Sequence, residues 1–222
     1  MSEEVVPSEV TDLAGLIGPE SDEIIEAMER HADEQNFPTV GPAVGAWLSV
    51  LARTTDAERI FEFGSGFGYS AYWFARGMEE GEIVLTEIDA DELDQAEAYF
   101  EQAGIADRAQ FEHGDAIDIV AECDGPFDIV LIDNEKQRYR EALEAVEEKL
   151  RPGSLVLADN AITAGVIDRD DVIALLNGEE VETATEASRG IAEYLAYVRE
   201  HDGLETALLP VGEGVAVSVV IE

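Results

Sequence analysis

Basic residues are scarce in this chain: 13 lysines and arginines stand against 51 aspartates and glutamates in 222 residues, a formal net charge of −38. With no basic patch visible to displace counterions from phosphates, the charge argues against a nucleic-acid partner. Cysteine is scarcer still. Cys123 is the only one, which excludes a disulfide framework and a cysteine-rich zinc cluster. No apolar run approaches the ~20 residues of a membrane span. The acidic start MSEEVVPSEV lacks the hydrophobic segment of a signal peptide. A soluble cytoplasmic protein without a membrane partner is the expectation.

The acids are spread along the whole chain rather than gathered in a tail. A carboxylate surface of that kind repels itself at low salt and is tolerable where salt screens it within a few ångströms. The expected source is therefore a salt-adapted organism, a haloarchaeon, and carboxylate abundance alone cannot argue for a metal site. Hydrophobic residues make up 46%, and a single domain of this length buries about 70% of its unfolded surface. One domain over 1–222 is expected, with N-terminal helices in 1–54 and a cofactor-binding core in 55–222.

Apolar spacing predicts helices over Ser21–His31 and Val44–Leu51, with NFPTVGP as a loop broken by Pro38 and Pro42. From Arg59 the pattern alternates: strands RIFEFG, EIVLTEID, AQFEHGD, FDIVLID and GSLVLADN are separated by helical stretches. That alternation means right-handed crossovers and a parallel sheet covered on both faces. The tail differs. After a helix over Ile191–Glu200, LETALLPV and GVAVSVVIE are separated by a short GEG, which forces an antiparallel hairpin. The expected fold is α/β and doubly wound, seven strands with helices on both faces and an N-terminal helical extension. Ligands of such sheets sit at the carboxyl ends of the strands.

FEFGSGFGYS follows the first strand with Gly64, Gly66 and Gly68. A triphosphate loop would end in Gly-Lys-Ser/Thr, which is absent. A dinucleotide fingerprint needs a small third residue, and that position is Tyr69. S-adenosylmethionine carries an α-amino group and a sulfonium, and Glu62 beside the glycines suits a cation. Glu87 ends the second strand, placed for two ribose hydroxyls, with charge-assisted bonds of about 1.5–3 kcal/mol each. A plain strand-to-helix turn remains the rival explanation of the loop alone.

A second constellation decides between them. LIDNEKQRY puts Asp133 at the fourth strand end with Lys136 three residues on, and LVLADN puts Asp159 and Asn160 at the fifth. Adjacent strand ends lie about 5 Å apart, so two carboxylates and an amide oxygen converge. All-oxygen ligands suit a hard divalent cation such as Mg²⁺. Either acid alone would read as an ordinary surface carboxylate. Lys136 is one of only two lysines in the chain; the other, Lys149, sits late in a helix where a cation complements the dipole.

FEFGSGFGYSAYWFA, TEIDAD, GDA, IDNEKQRY and LRPGSLVLADN together resemble the metal-dependent catechol and caffeoyl-CoA O-methyltransferases, over a stretch from about Pro38 to LETALLPVGEG. The resemblance implies a Rossmann-like class I methyltransferase sheet with an antiparallel last strand. It also implies that Val40, Glu62, Gly64, Ser65, Ser70, Glu87 and Ala116 contact S-adenosylmethionine, with Asp115 near the adenine. By the same resemblance Asp133, Asp159 and Asn160 hold the metal, Asp133 also touching the cofactor, and Lys136 is the base, with Asp133 its catalytic partner. The chain departs from the family at Asn134-Glu135, where Ala-Asp is common, and Glu135 thereby becomes a candidate substrate contact. It also departs in the segment 164–188. Trp47, Trp73 and Tyr139 are candidates for a ring-binding pocket, although core packing is the better expectation for Trp73.

The resulting expectation is an O-methyltransferase acting on a small acceptor with two adjacent oxygens, such as a catechol. Relatives suggest a homodimer, for which apolar faces near Ile24 and Leu48 offer an interface. A transfer-RNA hydroxyuridine methyltransferase and a non-catalytic S-adenosylmethionine-binding protein are the rivals. The first would need a basic patch; the second is opposed by the intact Asp133, Lys136, Asp159 and Asn160 set. If the charge is a salt adaptation, the melting temperature should fall steeply between molar and millimolar salt, followed by circular dichroism. An unchanged melting temperature would refute the adaptation.

Overall fold

The computed structural model describes residues 8–222, with side chains from Leu13 onward; residues 1–7 of the start read as no signal peptide lie outside the described residues. Three helices lead in: α1 (Ser8–Ile17), α2 (Glu23–Gln35) and α3 (Gly41–Thr54). The Asp22 carboxylate caps α2 by accepting from the amides of Ile24 and Ile25, satisfying two donors that a helix start leaves orphaned. Pro42, read from sequence as a breaker, instead lies in the first turn of α3, where its missing N–H costs nothing. The apolar residues near Ile24 and Leu48 turn inward: Ile25, Met28 and Leu48 are buried, and Ile24 packs against the same core. Exposed apolar side chains of these helices are Leu13, Leu16, Ile17, Trp47 and Val50.

The alternating region follows as β1 (Arg59–Phe63), α4 (Tyr69–Gly77), β2 (Glu82–Glu87), α5 (Ala90–Ala103), β3 (Ala109–His113), α6 (Ala116–Glu122), β4 (Ile129–Ile132), α7 (Tyr139–Val146) and β5 (Leu155–Ala158). Then come α8 (Arg169–Leu176), α9 (Glu186–Glu200), β6 (Leu204–Leu209) and β7 (Val215–Val220). The seven strands form one sheet in the order β3-β2-β1-β4-β5-β7-β6. The first five are parallel, and β7 runs antiparallel to both β5 and β6. Central strands β4 and β5 are apolar and β1 is apolar apart from Arg59 and Glu62; all three are almost wholly buried, as a sheet covered on both faces demands. One core cluster joins the sheet to α2, α3, α4 and α5, the other joins it to α6, α7 and α9.

Three departures from the sequence reading have local causes. Helix α1 was not expected, nor was α8, where Val172, Ile173, Leu175 and Leu176 are crowded rather than cleanly spaced along eight residues. The helix expected to run from Tyr139 to Leu150 ends at Val146 and continues as a 3₁₀ turn over Glu147–Lys149. Lys149 consequently serves a different helix: its Nζ donates to the carbonyls of Ala121 and Cys123 at 2.9 and 2.5 Å, closing the end of α6.

Helices α3 and α4 approach closely because glycines face the contact. A Cβ on Gly45 would lie 2.3 Å from Trp73 Nε1, and one on Gly77 would lie 2.2 Å from the Ser49 carbonyl oxygen. Alanine gains about 1 kcal/mol of helix propensity over glycine, but overpacking costs about 1–3 kcal/mol, and the fully buried indole has nowhere to go. Gly45→Ala should therefore lower stability in denaturant melts, whereas Gly15→Ala on α1, with nothing within 4 Å of its Cβ, should be neutral or slightly stabilising. Equal effects at both positions would contradict the packing account.

Candidate active site

The strand order reverses between β1 and β4, and a cavity of about 600 Å³ opens over the carboxyl ends there. Past β1 the chain turns through Gly64, Gly66 and Gly68 with φ of 82°, 49° and 84°, a region that L side chains rarely enter. A Cβ on Gly64 would lie 2.9 Å from the Asp133 carbonyl oxygen, and one on Gly68 would lie 2.9 Å from Ala96 Cβ. Gly64 thus lets the loop pass the exit of β4, and Gly68 lets α4 pack on α5. The close packing that the sequence reading sought at Tyr69 is supplied one residue earlier, so the bulk of Tyr69 does not itself separate the cofactors. The acids must do that.

Glu87 reaches back from β2 to this loop. One carboxylate oxygen accepts from the Gly66 amide at 2.9 Å; the other accepts from Ile88 and Asp89 at 2.7 and 3.1 Å. The loop and the acid thereby fix one another, and the oxygen that accepts from Gly66 keeps acceptor capacity toward the cavity. Val40, Ser65, Ser70, Asp115 and Ala116 also line the cavity. Asp115 caps α6 through the Ile117 amide and accepts from Arg138 at 2.8 Å, a bond that holds its carboxyl below the usual range. Arg138 was not singled out by the sequence reading; its signal was its place in EKQRY beside the strand-end acid.

Glu62 lies behind the wall rather than on it. Its carboxylate is fully buried, and burial pushes it from 4.5 up to about 8. The hydroxyls of Ser70 and Ser65 temper that rise, yet neither oxygen closes a well-formed hydrogen bond, and Ser65 Oγ accepts instead from the Thr86 amide.

At the ends of β4 and β5 the second constellation is assembled. Lys136 Nζ lies 2.7 Å from Asp133 Oδ1 and 2.8 Å from the Tyr139 hydroxyl. Tyr139 shares its one hydroxyl hydrogen between the Asp159 carbonyl, 3.2 Å away, and Asp133 Oδ1, 3.4 Å away. Burial, with the charge of Asp133 behind it, keeps this phenol protonated far above the usual range. Asp159 is buried with Oδ1 unpartnered, and burial followed by the charge of Asp133 pushes it to about 8. Asp133 is driven upward by burial and held back by Lys136; 26% of its side chain still opens to the cleft, and solvent there softens the rise.

Asn160 turns off the strand with φ of 53°, and its Nδ2 donates to Glu213 at 2.6 Å, which leaves Oδ1 free to accept. No three His, Cys, Asp or Glu side chains among the described residues form a metal cluster on their own. The donor set here is two carboxylates and an amide oxygen, all lining one cavity. An orphaned buried carboxylate oxygen beside a second carboxylate fits a hard dication, which would satisfy the one and relieve the repulsion between both.

Trp47 is exposed on α3, and Trp73 and Tyr139 are fully buried; none of the three lines the cavity, so the ring-binding expectation does not hold. Glu135 does line it, with half its side chain exposed and Arg138 at 3.6 Å. Glu213 was missed; GEG was read only as the turn of a hairpin.

A family model described as O-methyltransferase matches residues 19–221. The chain is 32% identical to a catechol O-methyltransferase of Niastella koreensis, over 89% of this chain and 94% of that one. It is 34% identical to a putative O-methyltransferase of a Mycobacterium species (strain JLS), over 89% and 86% of the two chains. A cofactor-bound structure of Rv0187 from MTB superposes with a TM-score of 0.84 at 26% identity, covering 98% of each chain. This chain belongs to the O-methyltransferase family.

The buried Glu62 has a consequence for stability in the cofactor-free protein. Between about 4.5 and about 8 the folded state binds a proton that the unfolded state has released, so stability falls as pH rises through that window. Glu62→Gln cannot titrate. Its stability relative to wild type should improve by about 1–3 kcal/mol on going from the bottom of the window to the top, read from denaturant melts in molar salt. A difference that stays constant with pH would contradict the assignment.

Proposed function

We propose that this member of the O-methyltransferase family uses S-adenosylmethionine and a divalent cation, Mg²⁺ by the hardness of its donors, to methylate one hydroxyl of a small catechol-like acceptor. The observation that carries this reading is the meeting of Asp133, Lys136, Tyr139 and Asp159 at two adjacent strand ends, beside the glycine loop and Glu87. The names of the relatives agree with it, since one is a catechol O-methyltransferase.

The cofactor would supply an electrophilic methyl, and a cation held by Asp133, Asp159 and Asn160 would make the acceptor hydroxyl more acidic. The chain supplies the rest. Glu87 and the Gly64–Gly68 loop hold the ribose side, with Asp115 and Ala116 at the adenine end of the cavity and Val40, Ser65 and Ser70 along its wall. Glu62 is buried behind the loop beside Ser65 and Ser70, and a buried acid there suits the α-amino charge. Lys136 takes the acceptor proton at Nζ. Asp133 and Tyr139 fix that nitrogen at 2.7 and 2.8 Å, so the base needs no search to meet the hydroxyl. Positioning of this kind is the largest contribution a methyl transfer asks of the protein.

Asp159→Ala should abolish metal affinity and methyl transfer together while S-adenosylhomocysteine binding, read by calorimetry, survives. Lys136→Ala should keep the metal and lose about 10²–10⁴-fold in rate, a loss that shrinks as rising pH lets solvent ionise the acceptor. Full activity in chelator, or in Asp159→Ala, would refute the metal mechanism.

A further inference from the structure

The β6–β7 turn reaches the site from the opposite end of the chain. Glu213 lines the main cavity and also a second hollow of about 770 Å³ on the α1 side, where Asp159 appears again. The turn is tied to the segment after Asn160 by three backbone bonds. The Ala161 amide donates to the Gly214 carbonyl at 2.8 Å, and the amides of Ile162 and Thr163 donate to the Glu213 carbonyl at 3.2 and 3.0 Å. Gly212 and Gly214 have φ of 58° and 90°, and a Cβ on Gly214 would lie 2.3 Å from Ile162 Cγ1. The two segments therefore hold a fixed register. Within it Glu213 Oε2 accepts from Asn160 Nδ2 at 2.6 Å, and no other hydrogen bond reaches the Asn160 side chain among the described residues.

We propose that Glu213 is a positioning residue that orients the Asn160 amide so that Oδ1, and not Nδ2, faces the divalent cation; this rests on the metal reading above. A carboxamide is almost the same shape either way round, but its two ends are chemical opposites. Flipped, it would point two N–H donors at a dication and remove one of the three protein ligands. A carboxylate that can only accept selects the Nδ2 end and leaves Oδ1 for the metal. The sheet thus brings a partner from outside the ligand-bearing strands to set a ligand's orientation, and such outer partners are typically worth 10–100-fold in metal affinity.

The test is Mn²⁺ binding to the full chain in molar salt, by electron paramagnetic resonance, with melting temperature and S-adenosylhomocysteine affinity as controls. Glu213→Ala should weaken Mn²⁺ about 10–100-fold with both controls unchanged. Glu213→Gln, whose carbonyl can still accept from Nδ2 but whose amide can also turn to donate to Oδ1, should fall between wild type and Glu213→Ala. In an Asn160→Asp background there is no amide to orient, so adding Glu213→Ala should cause no further loss. Wild-type affinity in Glu213→Ala, a Gln variant as weak as Ala, or an undiminished loss in the Asn160→Asp background would each overturn the orientation role. Absence of Mn²⁺ binding by the wild type would overturn the metal reading, and this inference with it.

Discussion

The desolvation of acids at the strand ends is the constraint around which this site is built. Asp133 and Asp159 sit where two parallel strands stop, lining one cavity with Asp159 buried, and burial there disfavours their charge unless a partner is present. Lys136 and Tyr139 supply part of what is needed; Lys136 lies between β4 and α7, and Tyr139 opens α7. The Tyr139 hydroxyl reaches across to the Asp159 carbonyl and also accepts from Lys136, so one side chain ties the base to the end of β5. What remains unsatisfied is Asp159 Oδ1. That unsatisfied oxygen, with the carboxylate of Asp133 beside it, is the feature on which the proposed cation site rests.

The glycine loop and the hairpin turn are two versions of one solution. Each brings backbone close to a functional acid by putting glycine where a Cβ would collide: Gly64 against the Asp133 carbonyl, Gly214 against Ile162. Each is tied to a carboxylate whose hydrogen bonds are already made, the glycine loop to Glu87 through the Gly66 amide and the hairpin turn through its own Glu213 to the Asn160 amide. Preformed contacts of this kind keep the orientation of the acid from being an entropic cost at the moment of binding. The glycine loop and the strand-end acids line one cavity, and the backbone of Asp133 lies against Gly64 of that loop.

The alternation of strands and helices, the hairpin and the strand-end acids were legible in the sequence because each depends on short-range pattern: apolar runs, a three-residue turn, an acid closing a strand. Lys136 was legible because lysine is so rare here. The partners that orient those residues were not. Tyr139 looked like an aromatic for a ring-binding pocket, and only the turn of α7 reveals that its hydroxyl faces Lys136. Glu213 was one acid among 51 in the chain, and its value comes from a pairing with Asn160 that spans 53 residues. Pro42 and Lys149 were read by their usual local roles, a break and a dipole partner of their own helix, and tertiary context assigned both elsewhere.

Anomalous diffraction from crystals grown in molar salt with Mn²⁺ and S-adenosylhomocysteine addresses the central claim most directly. The expected map has one dominant manganese peak bounded by Asp133, Asp159 and Asn160, with the cofactor's sulfur alongside in the same cavity. A cavity containing cofactor but no manganese, with peaks scattered over the acidic surface, would contradict it.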